Sequence, residues 1–455
     1  MQSHRYVHMR VTTSAPCGWS PVLPPERVGA AFAVACDVAN RLRDPQRVEA
    51  AALMAREQTS HPEAMHWVSY GVAQGFAGLA LLWGALDRVD PDGGWDVIAH
   101  DHLTRGVGGA DEHPLPPPGL FAGISGLAFA AWYVSRAGTR YQRLLAGVDR
   151  VLLPQVVALT DENSEDAGGC PVGYFDAISG LAGIGAYLLC RRERPECGVA
   201  LKRILRRLVE LTKEDAGVPR WYTPPELLTD EWRAEFPGGN ANCGLAHGIP
   251  GPLALLALAA LHDVRVDGIT DAIDRTAAWL CRHRADDQSG MNWPYAVPVT
   301  RPGEIQRGPE PSRTAWCYGT PGVARSLWLA GAALDDTQYR DIAIGGMEAV
   351  LRKPPHQRGI PSPTFCHGAA GLLQVALRFA QDTGLPHFAD AARDLAEQLL
   401  ALYSPEQLLG YRTLDPDGAP VDNPGLLDGA PGVALVLLAA ATPVEPAWDR
   451  LFLLS

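Results

Sequence analysis

Residues 248–261 read Gly-Ile-Pro-Gly-Pro-Leu-Ala-Leu-Leu-Ala-Leu-Ala-Ala-Leu, a G-x-x-G tetrad running straight into an apolar stretch. The pattern recurs at Gly75-Phe-Ala-Gly78, Gly123-Ile-Ser-Gly126, Gly180-Leu-Ala-Gly183, Gly319-Thr-Pro-Gly322, Gly368-Ala-Ala-Gly371 and Gly429-Ala-Pro-Gly432. Consecutive first glycines lie 48, 57, 68, 71, 49 and 61 residues apart, a period that suits a helix pair with its loops. Glycine permits a tight backbone, and Pro250, Pro321 and Pro431 suit a first helical turn, so each tetrad reads as a loop entering a helix. The segments that follow, such as Leu79–Trp83 and Val433–Leu438, are apolar nearly all round, and a helix of that kind is buried. Between them lie amphipathic stretches such as Asp390 to Tyr403, which read as outer helices with one solvated face.

Alternating buried and outer helices predict an all-α chain: an α/α toroid of seven helix-pair repeats, with its glycine loops gathered on one face of the ring. Length alone suggests about three domains of ~150 residues, but stacked repeats share one core, so residues 1–455 are expected to form a single domain. Two stretches interrupt the rhythm. Residues 86–118, ending in Pro114-Leu-Pro-Pro-Pro118, read as loop. Residues 191–243 add length between the third and fourth tetrads and read as an inserted extension, either a small peptide-contacting subdomain or a longer loop.

Composition narrows the class. The net charge of −12 argues against a nucleic-acid footprint, which calls for a basic stripe. Apolar runs such as Gly251–Leu261 fall short of the ~20 residues a spanning helix needs. Met1 to Ala15 lacks the apolar region of a secretory signal. Nine cysteines without a framework spacing suggest reduced thiols in a cytoplasm.

Three tetrads carry metal-competent side chains at equivalent places: Trp316-Cys317-Tyr318-Gly319, Phe365-Cys366-His367-Gly368 and His247-Gly248. A toroid brings these loops to one end. Two thiolates and one imidazole form a ligand set suited to Zn²⁺, with a fourth position open to water or substrate. Adjacent Cys366 and His367 diverge by about 100° on a continuous helix, so sharing a metal requires irregular backbone, which the following glycine supplies. Either cysteine alone reads equally as a small core residue. Their common place, two before the first tetrad glycine, favours the metal. Cys17, Cys36, Cys170, Cys190, Cys197, Cys243 and Cys281 lack that placement and are taken as structural. His247 reads as a fourth ligand, a general acid/base or a core histidine; an open zinc site and the pKa of imidazole favour proton transfer. Asp176, four residues before the third tetrad, reads as a helix cap or a catalytic group. Arg313 and Tyr318 flank Cys317, as binders of an anionic group or as ordinary solvated and buried residues.

Together, Gly244-Leu-Ala-His-Gly-Ile-Pro-Gly251, Trp316-Cys-Tyr-Gly-Thr-Pro-Gly322 and Cys366-His-Gly-Ala-Ala-Gly371 resemble the lanthionine synthetase C-like cyclases, and the resemblance spans nearly the whole chain. It implies one Zn²⁺ per chain, ligated by Cys317, Cys366 and His367. It assigns proton transfer to His247, a supporting role to Asp176, and places in the site to Arg313 and Tyr318. The implied reaction is a Michael-type addition of a peptide cysteine thiol to dehydroalanine or dehydrobutyrine, closing a lanthionine or methyllanthionine ring. The first tetrad begins at Gly75, so a dehydratase is expected as a separate partner that supplies the dehydrated precursor peptide. Alternatives are a zinc protein adding glutathione or another thiol to dehydroamino acids, and a non-catalytic zinc scaffold for peptides. A prenyltransferase-like toroid would use a carboxylate in its ligand set.

Overall fold

A computed structural model describes residues 18–63, 65–161, 168–301, 304–305, 312–415 and 417–455. Cys17 and the Met1–Ala15 segment read above for a signal lie outside the described residues. Each tetrad opens an apolar helix: α1 Phe76–Val89, α2 Ile124–Tyr133, α3 Leu181–Cys190, α4 Pro250–Leu261, α5 Thr320–Leu334, α6 Ala369–Thr383 and α7 Ala430–Ala441. Every residue of α7 is buried, as is all of α4 except Leu261, which is what an all-round apolar sequence demands. Glycine is needed at the loop for a steric reason. Gly319 has φ +110°, and a Cβ there would run into the Arg313 carbonyl oxygen; one on Gly371 would run into that of Phe365.

The seven helices close a ring. α1 packs on α2 and so on in order to α7, which packs back on α1. Outside them lie Trp95–Asp111 on α1, Gln142–Asp161 on α2, Pro195–Leu211 on α3, Ile269–Arg282 on α4 and α5, Thr337–Arg352 on α5 and Pro386–Leu402 on α6. The outer partner of α7 is Pro25–Arg41, so the first helix among the described residues pairs with the last inner one. Outer helices bury one stripe: Ile269–Arg282 turns Ile269, Ala272, Ile273, Thr276, Ala277 and Leu280 inward at helical spacing. The middle of the ring is filled. The 3₁₀ segment Ala447–Phe452 packs on α2 and α3, and Phe452 stacks on Phe365 (3.8 Å between centroids) and meets Trp316 edge-on at 5.1 Å.

Two expectations change. Residues 86–118 are not a loop. α1 runs to Val89, and Trp95–Asp111 is a helix whose Trp95, Ile98, Ala99, His102, Leu103 and Gly106 are buried. Gly106, Gly108 and Gly109 lower its intrinsic propensity, and packing against α1 overrides them. Within 191–243, Pro195–Leu211 is an outer helix with Ala200, Leu201, Ile204, Leu205 and Leu208 turned inward. The excursion proper therefore begins at Thr212. It contains the antiparallel pair Glu214–Asp215 and Val218–Pro219, the helix Asp230–Glu235 and the strand Asn240–Asn242. That strand pairs antiparallel with Ala296–Arg301, Asn240 opposite Pro298 and Asn242 opposite Ala296.

Candidate metal centre

The tetrad loops are joined by a closed circuit of backbone hydrogen bonds. Ala73 N–H donates to Phe121 O (3.0 Å) and Phe121 to Ile178 O (3.0 Å); Ala177, one residue earlier in that loop, donates to Ala246 O (3.0 Å). Ala246 donates to Cys317 O (3.2 Å), Cys317 to Cys366 O (3.3 Å), Cys366 to Leu427 O (3.0 Å), and Leu427 back to Ala73 O (3.2 Å). Equivalent positions of successive loops thus become direct neighbours. Cys317 and Cys366, 49 residues apart in the chain, are held side by side by their own peptide groups.

The ligand atoms of Cys317, Cys366 and His367 lie within 4.8 Å of one another. Tetrahedral Zn²⁺ with Zn–S of ~2.3 Å places its sulfurs roughly 3.8 Å apart, so the donors fit the ion in type and spacing. Cys366 and His367 occupy a turn ahead of α6, not a helix, which lets both face one point. The electrostatics single out this pair. The Cys317 thiol is held well below its ordinary range, chiefly because Cys366 donates to it, with His367 and the charge of Arg313 adding to the effect against burial. Burial does the opposite elsewhere: it pushes Cys190 to about 11 and Cys170 to about 12. For His367, burial works against the imidazolium, but the Cys317 hydrogen bond and the Asp428 charge prevail and raise its pKa.

His247 Nδ1 sits 2.7 Å from Asp176 Oδ2. The other oxygen, Asp176 Oδ1, accepts the backbone N–H groups of Ile178, Ser179 and Gly180 at 3.1, 2.7 and 2.8 Å. Asp176 is not the N-cap of α3, which is Gly180 without a side-chain cap hydrogen bond; its bonds hold the turn before that helix. It ties up the third loop, and it orients the imidazole of the fourth with a side chain only 2% exposed. His247 is 39% exposed, open to a substrate. Tyr318 follows Cys317 in the fifth loop; its ring is 6.1 Å from that of His247, its hydroxyl accepts from Asn242 Nδ2 (3.2 Å), and burial raises its pKa. The Arg313 side chain is exposed; its charge favours the Cys317 thiolate and works weakly against the rise of Cys366, whose pKa the hydrogen bond to Cys317 and burial push well up.

Three neighbours were not singled out from the sequence. Asp428 approaches His367 Nδ1 at 3.4 Å, and its place immediately before Gly429 matches those of His247 and His367, a signal that was legible. Asn242 and Trp232 carried none. Trp232, on the short helix Asp230–Glu235, lies 6.3 Å from the Tyr318 ring and packs edge-on against Tyr295. The excursion so contributes an aromatic wall beside the centre. A separate groove of about 720 Å³, bordered by Arg207, Glu210, Arg220 and Tyr222, contains none of the site residues. Among the described residues no helix is long and apolar enough to cross a membrane.

Comparison with known proteins shows the family and the fold. The nisin biosynthesis protein NisC of Lactococcus lactis subsp. lactis is 24% identical over 346 residues, covering 75% of this chain and 81% of that protein. The solved structure of nisin cyclase superposes with a TM-score of 0.74 at 22% identity, over 90% of this chain and 98% of that one, and shares the toroidal fold. Residues 66–453, from the first tetrad loop to the segment that fills the ring, match the lanthionine synthetase C-like proteins, and the chain belongs to that family.

Proposed function

We propose that the protein is a zinc-dependent lanthipeptide cyclase, acting on a dehydrated precursor peptide supplied by a separate dehydratase in the cytoplasm. The observation that carries this reading is the convergence of Cys317, Cys366 and His367 beside a histidine–aspartate pair, within a family whose relative is named a nisin cyclase. Cys317, Cys366 and His367 would hold Zn²⁺, whose Lewis acidity would lower the pKa of a peptide cysteine thiol toward neutral pH. The sulfur then bonds to the β-carbon of a dehydroalanine or dehydrobutyrine. The alkene π pair moves toward the carbonyl as an enolate, and the α-carbon must take up a proton. In this reading His247 handles these protons, accepting one from the thiol and returning one to the α-carbon. Asp176 holds the ring through Nδ1, which leaves Nε2 for the substrate. The cationic Arg313 favours thiolate over thiol, and Tyr318 with Trp232 forms an apolar wall against which the dehydrated residue packs.

The test is zinc content of the wild type beside Cys317→Ala and Cys366→Ala, with ring closure followed on a dehydrated precursor peptide. About one zinc per chain, lost in both variants together with cyclisation, supports the reading. Zinc retained in both, or absent from the wild type, sinks it. A chain that adds free glutathione to dehydroamino acids yet closes no ring on a precursor peptide would replace it with the thiol-transfer reading.

A further inference from the structure

We propose that Asp428 is a positioning residue that fixes the ring of His367 for the metal, an assignment that rests on the zinc site proposed above. Asp428 Oδ1 is enclosed from solvent and forms no hydrogen bond. A buried carboxylate oxygen left in that state is costly, so an unpaired one calls for a partner. The neighbour at hand is His367 Nδ1, 3.4 Å away.

Backbone register makes the pairing systematic. Cys366 N–H donates to Leu427 O, and His367 and Asp428 are the next residue along each loop. Leu427 is held in turn by Ala73 O, so the aspartate is carried on a fixed strut. The ligand atoms that lie within 4.8 Å of one another are those of Cys317, Cys366 and His367, and Asp428 is not among them.

The same device already appears across the rim, where Asp176 holds His247 by Nδ1 at 2.7 Å. A metal-ligating histidine commonly gives its second ring N–H to a carboxylate, which sets the tautomer, fixes the plane and strengthens the nitrogen that binds. With His367 Nδ1–H donating to Asp428 Oδ1, Nε2 is the nitrogen of His367 left for the ion. The two histidines are then oriented alike, one toward the metal and one toward the proton in flight.

The experiment measures zinc affinity, by competition with a chromogenic chelator, for wild type, Asp428→Asn and Asp428→Ala. The absorption of the Co²⁺-loaded proteins and the melting of the metal-free ones are recorded alongside. Loss of the acceptor should weaken zinc binding about 10- to 100-fold in Asp428→Ala. The near-isosteric Asp428→Asn, which keeps an oxygen but not the charge, should fall between it and wild type. The Co²⁺ bands should shift in both variants while metal-free melting stays at the wild-type value in Asp428→Asn. Wild-type zinc affinity and an unchanged Co²⁺ spectrum in Asp428→Asn overturn the proposal, whether or not Asp428→Ala folds. A wild type that binds no zinc overturns the zinc reading itself, a separate and recognisable outcome.

Discussion

The two sides of the glycine rim share one backbone and differ in what they carry. Ahead of α1 and α2 the two residues before the first glycine are Ala73-Gln74 and Phe121-Ala122; ahead of α4 to α7 they are Ala246-His247, Cys317-Tyr318, Cys366-His367 and Leu427-Asp428. Both sides join the same hydrogen-bond circuit. The backbone scaffold is thus the same on both sides, and the metal-competent side chains and His247 sit at two register positions of neighbouring loops. A ring of near-equivalent loops places side chains from distant segments within bonding distance and needs no special local motif in any one of them.

That contrast can be broken most strongly at the proton-transfer group. His247→Ala should lower the rate of ring closure by about 10²- to 10⁴-fold with zinc content unchanged, whereas Ala122→His, at the same register on the inert side, should leave both as in the wild type. Steady-state cyclisation kinetics with metal analysis decide it; zinc lost from His247→Ala would make that residue a ligand. The glycines sharpen the comparison from the other direction. Gly126→Ala and Gly371→Ala each drive a Cβ into a carbonyl oxygen, of Leu120 and Phe365 respectively, so both should destabilise the fold by about 1–3 kcal/mol. Only Gly371→Ala, next to the thiols, should also impair metal binding. Equal zinc affinity in the two would show that the loop scaffold does not set the site.

Smaller effects test the edges. Trp232→Ala should raise the KM for peptide a few-fold at nearly constant kcat, since it removes apolar contact and no reacting group; a collapse of kcat instead would give the excursion a larger part. Alkaline pH separates the two kinds of thiol. Cys190, Cys197 and Cys281 are raised by burial to about 11 and Cys170 to about 12. Their folded pKa values exceed the unfolded value near 9, so the stability they contribute is complete below about pH 9 and is lost as pH rises through 11 to 12. Denaturant midpoints measured from pH 8 to 11 should fall over that window. A flat profile would mean that these thiols are not shielded as the structure has them.

The inner half of the fold was legible because its signal is local. A tetrad followed by an apolar run marks each inner helix, with a proline at the first turn of α4, α5 and α7, without reference to anything distant. The outer half was harder. Trp95–Asp111 hides its buried stripe among glycines and charges, and its helix forms because α1 offers a surface to bury it against. The boundary of the excursion was masked in the same way, since Pro195–Leu211 differs little from a surface insertion until its inward face is seen on α3. Within the site, the two thiols and both histidines could be found by aligning the tetrads. Asp428 could have been found by the same alignment, whereas Trp232 arrives from a short helix with no register to align.

By itself the sequence determined the inner helices, the glycine loops that start them and the residue types at two positions before each glycine, because all of these are set by neighbours within a few residues. Only the tertiary structure decided which loops touch. The circuit through Ala73, Ala246, Cys317, Cys366 and Leu427, the pairing of Asp176 with His247 across 71 residues and the stacking of Phe452 on Phe365 all join segments far apart in the chain. Such contacts leave no periodic trace along the chain. They exist because closing the ring buries seven apolar helices at once and satisfies the peptide groups at their ends.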